Sequence, residues 1–174
     1  ASLEEALGEL AGSRLVEERR LAASVLALLG RFDALAALLV AEAPPLALRD
    51  AQWQDMMRDD VALALARGER AVAEVRRALA VAAPPGRDEL LWRLVRGPTA
   101  DDTPAVAAEL VELLDDESLV VRRGAAWLLA ELFHPAPADL TRYRPSASAD
   151  GRRDGVQWWR RLVERGTPAS GGRD

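Results

Sequence analysis

The segment Leu113–Phe133, LLDDESLVVRRGAAWLLAELF, limits what this chain can fold into more than any other stretch. It reads as the end of one helix, a tight acidic turn at Asp115-Asp116, and a second helix with apolar residues on nearly every side. A helix that is hydrophobic around most of its circumference is stable only when neighbours cover it. Val121, Ala125, Leu128 and Leu132 line one face of the second helix, Trp127 fills space beside the Ala positions, and Gly124 and Ala125 permit close helix approach. In the helix before it, Val106, Leu110 and Leu113 form an apolar stripe. Asp115 and Asp116 set negative charge at the positive end of the second helix.

Helical periodicity extends along the whole chain. Alternating β-branched or aromatic runs do not occur, and there is no Asn for an Asn-Gly hairpin turn. Gly and Pro cut the chain into pieces expected at roughly Leu3–Leu10, Arg14–Leu29, Phe32–Ala41, Leu46–Ala66, Glu69–Ala82, Asp88–Val95, Pro104–Leu114, Ser118–Phe133 and Asp150–Glu164. Pro44 and Pro45 close the third piece, and Thr103 with Pro104 makes a well-specified helix start. Short connectors imply that successive helices pack antiparallel. The expected fold is all-α.

Composition removes several function classes. All 23 basic residues are Arg; Lys, Asn, Ile and Cys are absent, which looks like coding bias in a GC-rich genome. A net charge of -5 with interspersed signs argues against a nucleic-acid partner, which needs a basic face. Without cysteine there is no disulfide, thiol chemistry or thiolate metal site. No apolar run reaches the roughly 18 residues of a membrane span. The chain starts at Ala1 without Met, as signal-peptide removal, loss of an initiator Met or a chosen boundary would each leave it.

Internal repetition supports stacking. Arg19-Arg20-Leu21-Ala22-Ala23-Ser24-Val25-Leu26-Ala27 aligns without gaps over Arg122-Arg123-Gly124-Ala125-Ala126-Trp127-Leu128-Leu129-Ala130, with a weaker echo at Val75–Leu79. Such irregular spacing suggests degenerate helical-hairpin repeats. The hairpin around Asp116, Val121-Arg122 and Ala125 resembles a HEAT repeat, whose second helix opens with Asp, Val-Arg and an Ala three residues on. The segment Tyr143–Arg152 followed by Val156-Gln157-Trp158-Trp159 resembles the closing motif of HEAT-repeat proteins common in planctomycetes and similar bacteria. There a Tyr-x-Pro turn leads through an acidic cap into an Arg- and Trp-rich helix. Leu162 stands where that family carries a further Trp, and Gly151 and Gly155 weaken the helix.

The resemblance implies a right-handed stack of antiparallel helical hairpins, a HEAT-like α-solenoid of about eight or nine helices. It divides the chain into a repeat domain (1–133), a Pro-rich extended connector (134–149), a Trp/Arg helix packing on the last repeat (150–165) and a flexible tail (166–174). It further implies an interaction module, a protein partner, no activity, and export or residence in the cell envelope.

Candidate sites are few. His134, the single histidine, has no second His or Cys with which to build a catalytic or metal site. The pairs Asp59-Asp60, Asp101-Asp102 and Asp115-Asp116 lack calcium-loop spacing and fall near expected helix ends, where capping accounts for them. Trp158 and Trp159 point about 100° apart on a helix, so one enters the core and the other faces a groove or partner. Flanked by Arg152, Arg153, Arg160 and Arg161, they form the most cationic surface available, suited to an acidic protein partner. Arg122 and Arg123 are expected to pair with acidic residues of a neighbouring turn. No catalytic residue, cofactor or metal is expected. The expected role is a non-enzymatic scaffold or accessory subunit. The competing readings are a HEAT-like enzyme of the chromophore-lyase or DNA-glycosylase type, and a membrane-peripheral adaptor using residues 14–41.

Overall fold

A computed structural model of the protein describes residues 2–44, 46–99 and 104–166. Among these residues there are helices and no strand. The helices are α1 (Leu3–Ala11), α2 (Val16–Leu28), α3 (Asp33–Val40), α4, α5 (Glu69–Ala82), α6 (Asp88–Val95), α7 (Pro104–Leu113), α8 (Leu119–Phe133), α9 (Pro137–Leu140) and α10 (Ala149–Glu164). α4 runs without interruption through Asp50–Met56, the wider turn Met57–Val61 and Ala62–Leu65. The expectations on Pro45, Asp101-Asp102, Thr103 and residues 167–174 lie outside the described residues.

By their contacts the residues form two compact units, Ala1–Val95 and Arg96–Asp174. The division falls within residues 1–133, the stretch expected to form one repeat domain. In the first unit α2 packs against α1 and α3, and α5 against α3, α4 and α6. Its core holds Trp53, Leu35, Leu39, Met56, Met57, Leu79 and Leu91, each at most 1% exposed. The Trp53 indole N–H donates to the Leu39 carbonyl at 3.0 Å, so its polar atom is satisfied on burial. In the second unit α7 packs against α8 and α10 around Leu110, Leu114, Val121, Ala125, Leu128 and Leu129. The buried face of α7 is Ala107, Leu110 and Val111, continued by Leu114 just past its end; Val106 and Leu113 are half-buried.

Two details of α4 depart from the simple helical pattern. It begins at Asp50 instead of Leu46. The Leu46 carbonyl accepts from the Arg19 guanidinium at 3.1 Å, and the Arg49 N–H takes the Gln52 side chain at 3.1 Å as a cap. The wide turn at Met57–Val61 then shifts the inward register by one residue. Val61 is buried where a regular helix would turn Asp60 inward. Asp59-Asp60 is therefore inside a helix and not at its end, and Asp59 pairs with Arg58 at 3.3 Å.

The two aligned arginine segments share local geometry. Arg19 and Arg122 are each the fourth residue of their helix. Arg19 donates to the Ser13 carbonyl at 2.8 Å, and Arg122 to the Asp116 carbonyl at 2.6 Å. The Leu15 N–H donates to Ser13 Oγ at 3.1 Å, and the Ser118 N–H to Asp116 Oδ1 at 2.8 Å, each closing the turn before its helix. Each arginine also reaches a later loop, Arg19 at the Leu46 carbonyl and Arg122 at the Pro145 carbonyl (2.9 Å). Arg122 thus clamps the main chain of the acidic turn, bonding the Glu117 carbonyl as well at 2.8 Å.

Candidate interaction surface

The chain from α8 to α10 positions the Arg- and Trp-rich helix. His134 ends α8 in the left-handed conformation, with φ 46° and ψ 51°, and its N–H bonds the Ala130 carbonyl at 2.9 Å. It serves as a helix terminator, and its side chain is exposed. The connector expected to be extended instead contains α9. Pro137 at the first helical position starts it, and Arg142 bonded to Asp139 at 2.8 Å braces the turn that follows. Tyr143 is then buried, and its hydroxyl donates to the Leu114 carbonyl. Ser148 caps α10 by accepting from the Gly151 N–H at 3.3 Å.

Gly155 is the closest point of this assembly. A Cβ there would lie 2.5 Å from the Arg142 carbonyl oxygen and 2.8 Å from Tyr143 Cα. Its lack of a side chain lets α10 touch the Tyr143 turn, so it is a packing requirement and not simply a weak point in the helix.

The six residues singled out on α10 divide by burial. Arg152 and Trp159 point inward with Gly155, at 8% and 2% exposure. Arg152 donates to Asp115 Oδ1 from Nη2 at 2.5 Å and to the Ala147 carbonyl from Nη1 at 2.7 Å. It locks α10 to the α7–α8 turn and is not a free contact residue. Trp159 fills the core, with the half-buried Trp158 edge-on to it at 4.8 Å between ring centroids. Arg153, Arg160 and Arg161 are exposed. Arg153 pairs with Asp150 at 2.5 Å, Arg160 with Glu112 at 2.9 Å, and Arg161 bonds Gln157 at 3.4 Å.

Arg153, Val156, Gln157 and Arg160 form one wall of a cleft of about 270 Å³, with Val111, Glu112 and Asp115 of the α7 end opposite. The cleft is lined by both signs of charge. Its arginines are partly neutralised where they stand, but the Arg153–Asp150 and Arg160–Glu112 pairs are open to water. Exposed pairs of this kind are worth only about 0–1 kcal/mol, so a partner's carboxylates could exchange for them at little cost.

The first unit carries a surface that the sequence did not single out. Leu65 at the end of α4, Val72, Ala73 and Ala80 of α5 and Trp92 of α6 line an open groove of about 650 Å³, with the Arg76 guanidinium 5.9 Å from the centre of the Trp92 ring. Arg76 is paired with Glu89 at 2.7 Å. Arg77 is held above its ordinary pKa, first by its hydrogen bond to Glu74 and then by the charges of Asp33 and Glu74. Alternation of small and bulky residues along α5, facing a lone Trp, was the only available signal.

Among the described residues no group of three or more His, Asp or Glu side chains is placed to hold a metal ion. Among them, too, no helix is long and apolar enough to cross a membrane. The motif residues Val121 and Ala125 are fully buried, while Asp116 closes and Arg122 clamps the turn. The chain matches no protein-family model, no curated protein and no solved structure.

Proposed function

We propose that the protein is a helical-repeat module of stacked, HEAT-like hairpins that binds another protein and carries out no chemistry of its own. The observation that carries this reading is the side-chain-closed turn and arginine clamp built twice, at Ser13–Arg19 and at Asp116–Arg122. A reused hairpin whose second helix is buried along one face is how repeat proteins assemble a continuous core, and such assemblies present long surfaces to partners. The contact surface is the outer side of α10. Arg153, Arg160 and Arg161 accept carboxylates, and the half-buried edge of Trp158 supplies apolar anchorage. The partner is an acidic protein segment. Arg76 and Arg77, already paired with Glu89, Glu74 and Asp33, leave the Trp92 groove little net charge for phosphates, which disfavours the glycosylase alternative.

The test compares proteins retained from an extract of the native cells by the wild-type chain and by the triple variant Arg153→Glu, Arg160→Glu, Arg161→Glu. The expected result is one or more proteins held by the wild type, released by salt and absent from the variant, with helical circular dichroism unchanged. Identical retention by the two chains would sink the reading.

A further inference from the structure

The cleft between α10 and the end of α7 is sorted by charge. The charged side chains that line it from α10, Arg153 and Arg160, are both basic, and those from the α7 end, Glu112 and Asp115, are both acidic. Val111 and Val156 supply its apolar lining. Of the four charged residues only Arg160 and Glu112 pair across the cleft, through Glu112 Oε1 at 2.9 Å. Arg153 turns instead to Asp150 of its own helix. Asp115 is held by Arg152, whose Nε and Nη2 both donate to Oδ1, at 3.2 and 2.5 Å. Glu112 Oε2 and Asp115 Oδ2 therefore have no protein donor, on side chains 73% and 61% exposed.

This sorting says what the cleft takes. The argument rests on the reading of α10 as a contact surface for an acidic segment, and it narrows that segment. A carboxylate that takes Arg160 from Glu112 leaves Glu112 without a cation. A segment made only of acids then stands against Glu112 and Asp115 and is repelled, whereas one that brings its own base restores the balance. In an extended chain successive side chains point to opposite sides, with residues i and i+2 about 6.7 Å apart. Laid along the cleft, such a chain sends alternate side chains to α10 and to the α7 end. Arg153 and Arg160 are seven residues apart, about 10.5 Å along the same side of α10, and their long side chains converge over that gap. A helix about 10 Å across is too wide for a cleft of about 270 Å³ that Arg160 spans to reach Glu112.

We propose that the cleft binds an extended acid–base–acid segment of the partner protein. Its two carboxylates meet Arg153 and Arg160, and its central cation meets Glu112 and Asp115. The segment keeps a net negative charge, as the arginines of α10 require, but an unbroken run of acids is the poorer ligand.

The test titrates the ¹⁵N-labelled full chain with three blocked peptides at millimolar concentration, following the amide resonances of α10 and the α7 end. The peptides are Ala-Glu-Lys-Glu-Ala, its reordered form Ala-Lys-Glu-Glu-Ala, and Ala-Glu-Glu-Glu-Ala. The first is expected to bind tightest, and the other two about threefold or more weaker, the scale of one exposed ion pair. Glu112→Gln, at an exposed position, is expected to weaken the Glu-Lys-Glu peptide and to strengthen the all-glutamate one. An all-glutamate peptide that binds the wild type as tightly as Glu-Lys-Glu would overturn the proposal. So would tighter binding of Glu-Lys-Glu to Glu112→Gln, or no shift of these resonances by Glu-Lys-Glu. Failure of the α10 reading itself shows differently, as equal protein retention by the wild type and the triple arginine variant, a measurement that uses no peptide.

Discussion

At the residue scale, side chains that look alike in the sequence have opposite roles. Arg152 and Arg153 are adjacent, yet Arg152 is nearly buried against Asp115 while Arg153 lies in solvent against Asp150. The difference comes from a carboxylate far along the chain, on the α7–α8 turn. Gly155 is the clearest case of a residue whose reason is tertiary. Helix propensity counts a mid-helix Gly as a loss of about 1 kcal/mol relative to Ala. Here the Cβ of an Ala would strike the Arg142 carbonyl. Gly155→Ala is therefore expected to destabilise the protein by roughly 1–3 kcal/mol, the usual cost of forcing atoms into a filled site. Urea denaturation followed by circular dichroism measures it, and a variant as stable as the wild type would show that the Tyr143 turn moves aside freely.

At the element scale, the hairpins are held by their turns as well as by their apolar faces. In α1–α2 and α7–α8 a side-chain oxygen closes the turn just before the helix, accepting from the N–H two residues on, and an arginine one turn into the helix grips the carbonyl of that same residue. Loss of one such hydrogen bond costs about 1 kcal/mol. Ser13→Ala and Asp116→Ala should each destabilise the protein by about that amount, and the double variant by the sum, because sites in separate turns act independently. Chemical denaturation of the four chains gives the comparison; a single variant with no loss would show that its turn is held by packing alone. The helices themselves were legible from Gly and Pro punctuation and apolar period. The wide turn in α4 was not, because it adjusts which of Asp60 and Val61 faces a core that other helices create. α9 was missed as well, since four residues between prolines carry no periodic signal.

At the scale of the whole molecule, the chain forms two compact units, each with a core of its own. Trp53, Met56, Met57, Leu79 and Leu91 of the first unit are closed over by α3, α4, α5 and α6. A chain ending at Val95 is accordingly expected to remain helical and to unfold cooperatively on heating. A flat, non-cooperative melt of that fragment would show that the first unit depends on the second. The all-helical fold follows from the sequence by itself: apolar spacing of three and four residues, breakers between the runs, and a helix at 119–133 too apolar to stand alone. The arginine turn was legible too, because its parts lie within a few residues of one another. The composition of the contact surfaces was decided only by the tertiary structure. Which face of α10 is solvent, which arginine is bound by Asp115, and which carboxylates stand opposite α10 all depend on residues distant in the chain. Local sequence sets a helix's period, but only its neighbours set its rotation.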